Sequence, residues 1–129
     1  MNYEVMITPP SKSELTSGGF NKNILINQNQ TADTLLKYGF TNHREPTLYF
    51  CRKLTENITF NLSVNKKTLK VEKLDVLDED FLQPYDYQEI LMTNKDHPFA
   101  KHIYYKVNDM LNKLQNDGII TGFNIGMYV

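Results

Sequence analysis

The chain has 129 residues, of which 40% are hydrophobic and 22% charged, with a formal net charge of −1. That is one globular domain's worth of material, too close to neutral to be drawn as a whole to nucleic acid or an anionic membrane. The lone Cys51 excludes an intrachain disulfide and a thiolate-rich metal site.

The N-terminus, Met1-Asn2-Tyr3-Glu4, lacks a basic leader followed by an apolar run. No apolar stretch approaches the roughly 20 residues that cross a bilayer. A cytoplasmic protein of a bacterial cell is expected, with no membrane partner. "YEVMI" (residues 3–7) and "NILI" (residues 23–26) are short strand candidates, separated by a Ser-, Lys-, Pro- and Gly-rich stretch that reads as a mobile loop. Residues 1–30 are therefore set apart as an N-terminal arm, and residues 31–129 as the compact domain.

Thr31 or Asn29 can cap a short helix through Leu35, Leu36 and Tyr38, and Gly39 suits its left-handed stop. Asn42 to Pro46 reads as a polar turn. Strands follow at "TLYFCRKL", "NITFNLSV" and "TLKVEKLDVL". In the second, Ile58, Phe60, Leu62 and Val64 alternate with Thr59, Asn61 and Ser63, the pattern of a half-buried antiparallel strand. In the third, Leu69 and Val71 have the opposite parity to Leu74 and Val76, which predicts a bulge near Glu72-Lys73.

The stretch "LDEDFLQPYDYQEIL" follows, with Pro84 setting a corner and one or two helical turns after it. Asp96 is the expected N-cap of the main helix, with Pro98 in its first turn. Phe99, Ile103, Val107, Met110, Leu111 and Leu114 form its apolar stripe, and Gly118 is its stop. Residues 119–129 read as a last strand. The expected architecture is α+β: a single antiparallel sheet with a central three-strand meander, and two main helices packed on one face.

Catalytic signatures are missing: there is no G-x-S-x-G, G-x-x-x-x-G-K-[ST], H-E-x-x-H or G-x-G-x-x-G. Asp78, Glu79 and Asp80 lack the alternation and the glycine of a calcium loop, and no second acid is fixed opposite them. His97 and His102 diverge by about 140° on a helix and cannot readily share a metal. Cys51 lies in a predicted strand with no base beside it, so a buried or half-buried structural role is expected. No enzyme activity, cofactor or metal is expected.

Charge is unevenly distributed. Residues 37–73 carry eight basic side chains against three acids, and residues 75–96 carry seven acids against one lysine. Solvated faces account for such runs, and a two-signed surface also suits steering of a protein partner. The acid- and tyrosine-rich corner, Asp78, Glu79, Asp80, Tyr85, Asp86 and Tyr87, is the expected partner-binding patch, since such rings are favoured in binding hot spots. The alternative is nucleic-acid binding through Arg52, Lys53, Lys66, Lys67 and Lys70, with Tyr49 and Phe50 for stacking. Self-pairing through the terminal strand, residues 121–129, is a further expectation, because sheet edges template pairing.

The spacing of "LLKYGF", "LYFCRKL", "ITFNLSV", "VLDEDFLQPYDYQ" and "LNKLQNDGIITG" resembles a group of small uncharacterised proteins of phages and mobile elements of Gram-positive bacteria, over residues 31–122. The "GF" turn leading into a strand meander and a closing helix is also distantly similar to MmcQ/YjbR-type proteins. That second resemblance implies a compact α+β fold and DNA binding. The chain departs from it in lacking net basic charge and in carrying the acidic corner. The combined expectation is a non-enzymatic protein-interaction protein of phage or mobile-element type.

Overall fold

Strand β4 (Ile58–Asn65) runs through the middle of the main sheet, bonded to β3 (Thr47–Lys53) on one side and β5 (Val71–Asp78) on the other. The computed structural model containing it describes residues 23–123. The expected strand at 3–7, the loop after it and residues 124–129 lie outside them. Two short strands, β2 (Thr41–Arg44) and β6 (Gln83–Pro84), complete an antiparallel sheet in the order β2-β3-β4-β5-β6. A second sheet of two strands joins β1 (Leu25–Ile26) to β7 (Ile120–Thr121). The α+β class holds, but among the described residues a five-stranded sheet and a separate two-stranded sheet replace the expected single sheet with a central three-strand meander.

Among the described residues three helices accompany the sheets: α1 (Ala32–Tyr38), α2 (Tyr87–Thr93) and α3 (Pro98–Asn116). Thr31 caps α1 through a capping box with Thr34, satisfying donors the helix cannot satisfy itself. Gly39, at φ 137°, ends it; a side chain there would meet the Arg52 guanidinium, with Nη2 2.6 Å from an added Cβ. The α3 cap is His97 and not Asp96: its Nδ1 accepts from the Ala100 amide at 3.1 Å. Pro98 explains the shift, since proline favours the first helical position and leaves the preceding residue as cap.

The inward faces of the three long strands, including Leu48, Phe50, Ile58, Phe60, Leu62, Val64, Leu74 and Val76, share one core with Leu35 of α1, Leu91 of α2 and Ile103, Val107, Leu111 and Leu114 of α3. Burying each large apolar side chain contributes roughly 1.5–3 kcal/mol. The expected bulge is present: Ser63 pairs with Lys73 and Val64 with Val71, so Glu72 is the extra residue that changes parity. Ile24 is 3% exposed in the same core. The described part of the expected arm thus packs with the domain.

Three local expectations change. Residues 41–44, expected mostly as turn, form the fully exposed edge strand β2, and the turn shrinks to Glu45-Pro46. Thr59 and Ser63 on the second face of β4 are buried, at 7% exposure each, because short side chains sit between longer neighbours on β3 and β5. Phe99 leaves the α3 stripe: it is 39% exposed, with its ring edge-on to Tyr85.

Candidate functional site

Between β5 and β6 the chain reverses through Glu79-Asp80-Phe81-Leu82, and local bonds hold that tip in shape. The Asp78 carboxylate accepts from the amides of Asp80 at 3.0 Å and Phe81 at 3.4 Å, an Asx-type turn. The Asn57 side chain donates to the Asp80 carboxylate at 2.7 Å, and the Asn57 carbonyl accepts from the Glu79 amide at 3.0 Å. The tip is thereby fastened to the turn between β3 and β4. Two of the three consecutive acids thus act first as turn-formers.

What the tip presents is apolar. Phe81 is 73% exposed and Leu82 80% exposed, the two most exposed large hydrophobic residues among those described. Leu82 also has a φ of 52°, in the left-handed region that costs a non-glycine L-residue roughly 1–2 kcal/mol. Leu69 is the other described non-glycine residue with positive φ, at 58°, but it packs against the core. Burial offsets the strain at Leu69. At Leu82 neither backbone preference nor burial favours a leucine.

The remaining members of the expected patch separate. Tyr85 is half-buried; its amide donates to the Val76 carbonyl at 2.8 Å, and its ring meets Phe99 edge-on at 5.5 Å. Burial, and then the Asp78 charge, push its phenol pKa up. Asp86 is exposed at the N-cap of α2, where its side chain makes no capping bond. Tyr87 is completely buried and lies T-shaped to Tyr104, so it is removed from the surface patch. The first turn of α2 rotates it inward. Phe81 and Leu82, which are not among the residues expected in the patch, lie at its most exposed point.

The basic residues of the alternative do not gather. Lys66, Lys67 and Lys70 lie in and beside the turn after β4, with Lys66 paired to Glu45 at 2.6 Å. Arg52 and Lys53 end β3 at the far end of the sheet, about 20 Å away at ~3.3 Å per residue. The Arg52 guanidinium stacks over Phe50 at 4.0 Å, and His43 stacks on Tyr49. Phe50 is itself buried. Ring faces expected to take bases are thus occupied within the fold or buried.

On the second face of the sheet, Cys51, Asn61 and Asp75 stand in one cross-strand row. Asn61 donates to the buried Asp75 carboxylate at 3.2 Å, and Lys73 pairs with it at 3.4 Å. Cys51 is exposed, not buried or half-buried as expected, because β2 pairs with β3 only as far as Tyr49 and leaves that side of Cys51 uncovered. Partial desolvation pushes its thiol pKa up; Arg52 opposes, while Asp75 and Glu79 add to the rise. No group of three or more His, Cys, Asp or Glu side chains among the described residues could hold a metal ion. No helix among them is long and apolar enough to cross a membrane.

No protein-family model matches the chain. No curated protein matches it significantly. Among solved structures, the chain is similar to a DUF1831 family protein from Lactobacillus plantarum, with a TM-score of 0.56 and 17% identity over 76% of this chain and 84% of that one. At that identity the likeness is one of fold: an α+β arrangement shared across most of both chains.

Proposed function

We propose that this chain is a non-enzymatic interaction protein that presents the β5–β6 tip to an apolar, basic-rimmed cavity on a protein partner. Leu82 carries the reading: a strained leucine held in water has no reason in the fold, and a binding anchor supplies one. Phe81 and Leu82 are the anchors, with Glu79 the exposed acid beside them. Asp78 and Asp80 pre-form the turn, which lowers the entropy lost on docking. Tyr85 supports the strand below and Asp86 flanks it. A phage or mobile-element setting, taken from the sequence resemblance, fits such a role. Nucleic-acid binding has weaker support, since its cationic residues lie at two ends of the sheet.

Site-specific photo-crosslinking in the native host cell tests this reading, with the reactive residue at Gln83 and a control at Lys67. A discrete protein adduct from position 83, lost when Phe81 and Leu82 become serine, is the expected result. Equal labelling from both positions, or an adduct indifferent to those serines, would overturn it.

A further inference from the structure

The end of the molecule that carries the tip also carries a groove of opposite chemistry. It is a shallow cavity of about 250 Å³, lined by Lys53, Leu54, Lys106, Asp109, Met110 and Lys113. Leu54 and Met110 supply its apolar part, and three lysines stand around them. Lys113 already pairs with Asp117 at 2.8 Å, and Lys53 donates to the Glu56 carbonyl at 3.3 Å. Lys106 has no ion pair among the described residues. The groove therefore offers an apolar floor and, beside Asp109, a lysine without an ion pair among the described residues. The tip offers Phe81 and Leu82 beside Glu79.

From this complementarity, and resting on the reading of the tip given above, we infer that the tip docks in the groove of a second copy of this chain. Leu54 and Asn57, which bound the β3–β4 turn, touch the groove and the tip respectively. Groove and tip thus flank one turn. A two-fold axis passing near that turn sets each tip against the other copy's groove, an isologous arrangement that closes on itself. Glu79 of one copy then meets Lys106 of the other, twice per dimer.

Sedimentation velocity across a concentration series tests the pairing, using wild type, Phe81→Ser/Leu82→Ser, Glu79→Lys and Lys106→Glu. Each charge reversal acts at two contacts and is expected to weaken the dimer about tenfold. Mixing the Glu79→Lys and Lys106→Glu chains restores dimer, because one contact then pairs Glu with Lys as in wild type and the other pairs them in reverse. The serine pair gives monomer, with an unchanged far-ultraviolet spectrum showing that it folds. A wild type that stays monomeric, or a dimer indifferent to the reversals, overturns the self-pairing. If position 83 still crosslinks a different protein in that case, the tip reading survives alone. If it crosslinks none, both fall.

Discussion

The Asn57 side chain donates a 2.7 Å hydrogen bond to the Asp80 carboxylate, joining two turns that lie 23 residues apart in the chain. Asn57→Ala removes that bond and the one Thr55 Oγ1 donates to Asn57 Oδ1 at 3.2 Å, while leaving the Glu79 amide bonded to the backbone carbonyl of residue 57. The expected loss of stability is about 1–3 kcal/mol, the range of two ordinary hydrogen bonds. Amide hydrogen exchange should quicken at Asp80 and Phe81 and remain unchanged in β4.

Tyr87 belongs to the interior. Tyr87→Ala is expected to destabilise the fold by about 3–5 kcal/mol, the range for truncating a large buried aromatic. Urea unfolding measures it. A loss below 1 kcal/mol, with partner binding abolished, would return this residue to the surface patch.

Tyr38 donates to the Asp117 carboxylate at 2.7 Å, and Lys113 donates to the same carboxylate at 2.8 Å. Burial, then Asp117, push the Tyr38 pKa from 10.0 up to about 12, with Arg52 opposing. The Lys113 bond, then the Tyr38 bond, hold Asp117 below its usual range. A raised phenol contributes stability that is intact below its unfolded value of 10.0 and is lost as pH climbs toward about 12. A depressed carboxyl contributes stability present above its unfolded value of 3.8 and lost as pH falls through its folded value. Asp117→Asn should lower the Tyr38 titration, followed by its ring resonances, while leaving it above 10.0 because burial remains.

Cys51 is exposed, yet its thiol pKa is raised, so thiolate is scarce at neutral pH. Alkylation by iodoacetamide at pH 7 should be slower in the folded protein than in the chain unfolded by urea. Asp75→Asn removes one of the charges that raise the thiol and should speed the folded reaction.

Where local chemistry decided structure, the sequence was readable. Thr31 and Gly39 bracket α1 as expected, Gly118 follows α3 at a φ of 78°, and the parity change around Glu72 marks a real bulge. Where the outcome depended on residues far apart in the chain, it was not. The edge strand β2 has no apolar alternation to betray it and exists because β3 offers it partners. Lys53 and Lys66 look like members of one basic run, yet β4 is long enough to carry them to opposite ends of the sheet.

Of the proposed site, the sequence shows the turn and its acids but not which side chains reach the surface. The acids mark the corner on which the proposal rests, but two of them shape the turn, and Tyr87 turns inward with α2. Composition cannot reveal that Phe81 and Leu82 face water, nor that Leu82 has a left-handed backbone. Those facts appear only once β5 and β6 pair and the tip is fastened to Asn57.

The central claim is that Leu82 is kept for binding at a cost to folding. Leu82→Gly tests it most directly, measured for stability by urea unfolding and for binding by the adduct formed from position 83. Glycine adopts a φ of 52° freely, so stability should hold or rise by up to ~1 kcal/mol. The adduct should disappear. A variant that loses stability and keeps the adduct would contradict the claim.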